Sequence, residues 1–197
     1  MRAAPSPKTS LRKQLRAARR ALSVAAHRRH SAQDAHSLKQ LAAFAAGKRV
    51  ALYLPFDRET DTAALIVAAR RRGVRIYVPI IVDKRHARIR FYPLGARTRP
   101  GRFGIAVPHR QGVSVPARWL NLIVVPLVGI DSQGRRLGMG GGYYDRALQF
   151  RRLRRTWPGP HLVGFCFDCQ RTNASFAEHW DVRLNSLATE SGVQRFL

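Results

Sequence analysis

The sequence predicts an α/β fold: a three-layer sandwich on a mostly parallel, Rossmann-like central sheet, with extra helices at the amino terminus. Three observations point there. Short, fully apolar runs such as Leu122-Ile123-Val124-Val125 suit strands buried on both faces, the signature of a parallel sheet. Helical periodicity alternates with these runs along the chain. Three strand candidates end at a proline, Pro55, Pro79 or Pro126, and hand over to a polar or glycine-rich loop.

The elements follow in order. Ser6-Pro7 and Thr9-Ser10 open a helix that carries Leu11, Leu15, Ala18 and Leu22 at helical spacing. Ser23 caps a second helix, running through Leu38, Leu41 and Phe44 and stopping before Gly47. No acid occurs before Asp34, so the plain reading of this basic stretch is a solvated helical face. A strand is expected over 49–54. A helix capped by Asp61-Thr62 then runs to Gly73, followed by a strand over 74–78. Residues 88–92 alternate as an edge hairpin strand, and 95–118 read as a long irregular connection. The central strand is 122–125. A glycine-rich loop leads to a helix over 143–155. A strand at 161–167 and a terminal strand or hairpin over 187–196 complete the chain.

Composition sets bounds. The 197 residues are 45% hydrophobic and 24% charged, which is globular, and they are read as a single α/β domain over 1–197 with residues 1–7 flexible. No apolar run approaches the ~18 residues of a membrane span. Two cysteines make no disulfide framework, so the expectation is a cytoplasmic protein without a membrane partner. Lys and Arg number 36 against 11 Asp and Glu, a net charge of +25. Such a field attracts phosphates, anionic small molecules and nucleic acid alike. Abundant Arg beside abundant Ala also fits GC-rich coding.

In parallel sheets ligands sit beyond the carboxyl ends of the strands. There lies the strongest motif, Arg135-Arg136-Leu137-Gly138-Met139-Gly140-Gly141-Gly142-Tyr143-Tyr144-Asp145. Four glycines in five residues let the backbone turn several N–H groups toward a ligand. A helix start behind them and two arginines beside them make a phosphate seat. The motif is neither a Walker A sequence nor a GxGxxG turn. Asp145 suits Mg²⁺ beside phosphates, and equally suits a first-turn acid favoured by the helix dipole. Asp131 reads as a turn residue. In the second loop, Asp57-Arg58-Glu59-Thr60-Asp61, a turn accounts for Asp57 and a helix cap for Asp61. Glu59 is left to grip a ligand's amide or ring nitrogens. Cys166-x-x-Cys169 lacks the second pair a zinc site needs. His27 and His30 share a helical face with no carboxylate in sequence to complete a metal site.

Across most of its length, about residues 8–190, the sequence resembles the 5-formyltetrahydrofolate cyclo-ligase (5,10-methenyltetrahydrofolate synthetase) family. The likeness rests on Lys8-x-x-Leu11-Arg12 with Arg19, Tyr53-Leu54-Pro55 with Glu59-x-Asp61-Thr62, and Phe103-Gly104-Ile105 with Pro108. It rests further on residues 122–126 with Asp131 and Gly134, on Arg136 through Asp145, and on Gln170, Trp180-Asp181 and Thr189-Glu190. Some members carry Lys at Gly141, and an acid is common just before Pro108, where this chain has Ala106 and Val107. The resemblance implies a ligase that uses ATP and Mg²⁺ to close 5-formyltetrahydrofolate to 5,10-methenyltetrahydrofolate through a phosphorylated formyl intermediate. It implies ATP contacts at Lys8, Arg12 and the segment Arg136, Leu137, Gly138, Met139, Gly140, Gly141, Gly142, Tyr143 and Tyr144, with Arg19 a lesser candidate. Arg136 and Tyr144 would be the catalytic groups. Glu59 and Tyr144 would meet the folate, and Asp145 and Asp181 would hold Mg²⁺. The expected partners are ATP and the folate, with or without a polyglutamate tail, with no specific nucleic acid, in a monomer or weak dimer. A basic nucleic-acid binder and a kinase or ligase of another anionic substrate are the alternatives. The first leaves the glycine loop without a role.

Overall fold

The computed structural model describes residues 6–95, 97–101, 106–108, 112–153, 159–176, 178 and 181–196. The Ser6 side chain accepts the Thr9 N–H and opens α1 (Pro7–Ala21), with proline in the first turn where no N–H is needed. Ser23 repeats the device for α2 (Val24–Lys39), accepting from the Ala26 N–H at 3.1 Å. The helix expected to reach Phe44 ends five residues early; the chain turns instead, and Phe44 is buried in the core under the Arg72 guanidinium.

Seven strands form one sheet in the order β11-β10-β9-β6-β1-β2-β3. They are β1 (Arg49–Ala51), β2 (Arg75–Asp83), β3 (Arg88–Pro93), β6 (Leu122–Val125), β9 (His161–Phe165), β10 (Ser186–Thr189) and β11 (Gly192–Arg195). The five inner strands pair in parallel, and β3 and β11 close the two edges as antiparallel hairpins. Period-two alternation sorts the side chains. Val50, Leu52, Leu122, Val124, Val163 and Ala188 face a core shared with α2 and α3 (Ala63–Arg71). Ala51, Ile123, Val125, Leu162 and Leu187 face the opposite core with Phe91 and Leu148. The central strand expected at 122–125 is the middle of the sheet and is wholly buried.

Some boundaries differ. β1 is half the expected length. β2 runs on through Pro79 to Asp83, because past Tyr77 it has a neighbour on one side only and a missing N–H is tolerated. Part of the irregular stretch pairs as β4 (Thr98–Pro100) with β5 (Ala106–Pro108). The glycine-rich segment begins as a ribbon, β7 (Gly129–Ile130) with β8 (Arg136–Leu137). The helix expected over 143–155 is two short pieces, α4 (Tyr143–Leu148) and α5 (Phe150–Leu153), and Arg155 lies outside the described residues. So do residues 1–5, Phe103-Gly104-Ile105 and Trp180. Among the described residues no helix is long and apolar enough to cross a membrane.

Candidate active site

Two loops and α1 meet at the carboxyl ends of β1 and β6. α1 lies along the β7–β8 ribbon, with Leu15 in a small cluster beside Val128, Leu137 and Phe176. The fit is tight: a Cβ on Gly129 would stand 2.3 Å from the Leu15 side chain. This contact lays the polar residues of α1 over the glycine loop. Arg12 Nε donates to the Gly138 carbonyl at 2.9 Å, and Lys8 Nζ is 2.8 Å from Glu178 Oε1. Gly140 (φ +98°) and Gly142 (φ +66°) hold left-handed conformations that a side chain resists. Asp131 is the turn residue expected, its carboxylate accepting the Gln133 and Arg135 N–H groups. Buried Gln170 ties the ribbon to the end of β9 by donating to Leu127 and Val128 carbonyls.

Behind the glycines stand Arg136, Tyr144 and Asp145. Arg136 is buried, pairs with Asp145 Oδ1 at 2.5 Å and lies 5.8 Å from the Tyr144 ring centre. Its buried Nε has no acceptor among the described residues. Burial raises the Tyr144 hydroxyl far above its ordinary range. The Glu59 charge adds to this and Arg136 opposes it. Tyr144 thus stays a proton donor on the glycine-loop side. Because α4 is only six residues long, the helix-dipole share of the expected phosphate seat gives way to arginines and backbone N–H groups.

The acidic loop is built by ion pairs. Asp57 receives Arg16 at 2.8 Å, Arg19 at 3.0 Å and Arg20 Nε at 2.7 Å, so the solvated arginine face expected of α1 is in part an internal one. Burial alone would raise the Asp57 carboxyl; hydrogen bonds from Arg20 and Arg16 overcome it and hold the group below its usual range. Glu59 is pushed up to about 7 by burial, with Asp57 adding, while the Phe56 N–H at 3.1 Å and the Arg19 charge oppose. Tyr53 pins the loop by donating to the Thr60 carbonyl and accepting at its own carbonyl from Thr62. Asp61 accepts the Ala63 N–H at the start of α3, the expected cap. Arg19, a lesser candidate for phosphate, is 1% exposed and committed to Asp57.

The two carboxylates expected to hold a divalent cation each have one oxygen engaged. Asp145 commits Oδ1 to Arg136, and Asp181 commits Oδ2 to the Glu178 N–H. Each keeps its other oxygen without a hydrogen bond among the described residues, as suits Mg²⁺ held by one or two carboxylates and completed by phosphate. His27 and His30 are not the unaccompanied pair expected. His30 Nδ1 stands 3.1 Å from Glu190 Oε1, and His27 Nε2 donates to the Arg58 and Glu59 carbonyls. His27 supports the acidic loop, and no cluster of three metal-ligating side chains occurs among the described residues. Cys166 lies just past β9, buried, its thiol raised by burial, and Cys169 is a free thiol beside it.

Two features escaped sequence reasoning. One is the arginine clasp on Asp57, which needs the docking of α1. The other is Asp34, wholly buried with neither carboxylate oxygen hydrogen-bonded, and pushed up to about 9 by burial with Glu190 and Asp168 adding. Its only signal is an acid beside Ala35 and Leu38 on the buried stripe of α2.

A mostly parallel sheet with two loops gathered at the carboxyl ends of its strands puts the chain in the α/β class whose ligand crevice opens there. The family model described as the 5-formyltetrahydrofolate cyclo-ligase family matches residues 4–190. The 5-formyltetrahydrofolate cyclo-ligase of Escherichia coli K12 is 37% identical over 147 residues, spanning 73% of this chain and 79% of that one. The Haemophilus influenzae cyclo-ligase is 37% identical over 144 residues, 70% of this chain and 73% of that one. The solved structure of Aquifex aeolicus 5,10-methenyltetrahydrofolate synthetase superposes with a TM-score of 0.80 at 32% identity, covering 96% of this chain and 93% of that one. The chain belongs to the 5-formyltetrahydrofolate cyclo-ligase family and is an enzyme of the ligase class.

Proposed function

We propose that this protein converts 5-formyltetrahydrofolate and ATP to 5,10-methenyltetrahydrofolate, ADP and phosphate. The observation that carries the reading is that α1 bonds both loops, the glycine loop at Gly138 through Arg12 and the acidic loop at Asp57 through Arg16, Arg19 and Arg20. One side offers cations and backbone N–H groups to a polyphosphate, the other a carboxyl to a heterocycle.

The formyl group of the substrate is an amide-like carbon whose oxygen leaves poorly. Attack of that oxygen on the γ-phosphorus breaks the bond to ADP and gives an iminium phosphate. N10 then attacks the formyl carbon, loses its proton, and the carbon–oxygen bond breaks with phosphate as leaving group. Such chemistry needs positioning and charge neutralisation, with no protein nucleophile.

Lys8 and Arg12 on α1 meet ATP phosphates, and the backbone of 137–143 wraps them. Arg136 offers its free Nε to the transferring phosphoryl group. Tyr144, kept protonated, donates to the formyl oxygen or the phosphoryl group. Glu59 holds pterin or formyl-region donors, and as a carboxylate it binds them best above its pKa of about 7. Asp145 and Asp181 would hold Mg²⁺, which would supply positive charge to the phosphate groups of ATP. The surrounding positive field suits ATP and a polyglutamate tail.

The test is isotopic. Substrate labelled with oxygen-18 in the formyl group is expected to deliver its label to inorganic phosphate, one atom per methenyl product. Label appearing in water or formate, with unlabelled phosphate, would overturn the phosphorylated intermediate.

A further inference from the structure

Helix α1 touches both halves of the site. Its first turns reach the glycine loop through Arg12, while its last turns converge on one carboxylate, Asp57. Arg16 donates to Asp57 Oδ2 through Nε and a terminal nitrogen, at 3.0 and 2.8 Å. Arg19 donates to the same oxygen at 3.0 Å and to the Asp57 carbonyl at 2.8 Å. Arg20 takes the other oxygen through Nε at 2.7 Å. Three cations on one acid is more than charge balance asks for.

The backbone shows what they hold. Asp57 and Arg58 are consecutive non-glycine residues in the left-handed region, at φ +52° and +59°. L residues resist that conformation, so two in a row persist only where their surroundings impose them. Arg58 supplies a second clasp by donating to the Leu22 carbonyl. The turn folds the Glu59 carboxyl back over the Phe56 N–H. Arg19 adds a constraint of its own. It is 1% exposed, and its Nε and one terminal nitrogen have no acceptor among the described residues. A buried guanidinium with spare donors will take another carboxylate if Asp57 is lost. Glu59, which already feels its charge, is at hand.

We infer that Asp57 is a positioning residue for the folate half of the site: it fixes the left-handed turn at 57–58 and occupies Arg19, leaving the Glu59 carboxyl for the ligand. The inference rests on the reading of Glu59 as a folate contact. It also separates the two ends of α1, with Lys8 and Arg12 serving the nucleotide and Arg16, Arg19 and Arg20 serving the folate.

The test is Asp57→Asn in the full-length enzyme. Asparagine accepts the left-handed conformation as readily as aspartate, so the variant keeps the intrinsic backbone preference and removes the ionic hold alone. The KM for 5-formyltetrahydrofolate is expected to rise about tenfold, the worth of one displaced charge-assisted hydrogen bond, with the KM for ATP nearly unchanged. Adding Arg19→Met to Asp57→Asn is expected to lower the folate KM again, because the cation that captures Glu59 is gone. Val74→Ala, a buried position just before the amino end of β2, at the opposite end of the sheet from both loops, is the control: it lowers Tm and leaves both KM values in place. A fall in Tm without a change in folate KM, or an equal rise in both KM values, would overturn the inference. So would a folate KM in the double variant as high as in Asp57→Asn. Glu59→Gln run alongside separates the two failures. If it too leaves folate KM unchanged, the reading of Glu59 has failed; if it raises folate KM and Asp57→Asn does not, the positioning role alone has failed.

Discussion

The two loops at the site are made by opposite means. The glycine loop is a backbone device: left-handed glycines, an exposed crest at Met139, and one bond from Arg12 to a main-chain carbonyl. The acidic loop is a side-chain device: a carboxylate clasped by three arginines and a second carboxyl raised to about 7 by burial. On the proposed reading the first would wrap a polyphosphate with its backbone. The second depends on one charge arrangement, and the proposal puts selectivity for the folate there.

The largest effect is expected on the glycine-loop side, where phosphoryl transfer is proposed. Asp145→Asn takes the charge out of the Arg136 ion pair and out of the carboxylate proposed to hold Mg²⁺. It should lower kcat by about 10²–10³, the range for losing a preorganised transition-state contact, with an unchanged far-ultraviolet circular dichroism spectrum. Activity within a few-fold of wild type would detach that carboxylate from the chemistry.

Glu59→Gln tests the other loop. A folate KM raised about tenfold, with ATP little affected, fits one lost charged hydrogen bond. Because burial raises this carboxyl to about 7, the wild-type folate KM should fall as pH rises through that value, and the glutamine variant should show no such limb. A limb that survives in the variant belongs to another group.

Gly140→Ala probes the backbone device alone. At φ +98° a methyl group costs about 1–2 kcal/mol of strain, so KM for ATP should rise several-fold and folate KM should stay in place. Similar shifts in both would mean that the loops do not divide the labour.

The smallest effect is thermal. Asp34 has a folded-state pKa near 9 against an ordinary 3.8, so its neutral form is favoured by the fold. Its contribution is fully present below about pH 4 and is lost as pH rises toward about 9. Asp34→Asn should therefore flatten the fall of Tm between mildly acidic and mildly alkaline solution. An unchanged slope would place that titration elsewhere.

These loops also differed in how far the sequence exposed them. Four glycines between an apolar strand and Tyr143-Tyr144-Asp145 mark a ligand loop by spacing alone, because the function of the loop is its own backbone. The alternating inner strands were equally plain, since two-sided burial writes itself as Leu122-Ile123-Val124-Val125. Glu59 stood out by elimination, but what governs it did not. The partners of Asp57 sit about forty residues away on α1, and only docking turns a basic helical face into a clasp. The same holds for His30, whose carboxylate partner Glu190 arrives from the far end of the chain. The short β1 and the long β2 were misjudged at Pro55 and Pro79, where strand ends depend on which neighbour is still present.

The most direct measurement is absorbance in the methenyl-folate band, with purified protein and 5-formyltetrahydrofolate, adding ATP and Mg²⁺ separately and then together. The account predicts a rise only when both are present, matched by an equal amount of ADP. A rise without ATP, or no rise while ATP is bound and hydrolysed, would contradict it.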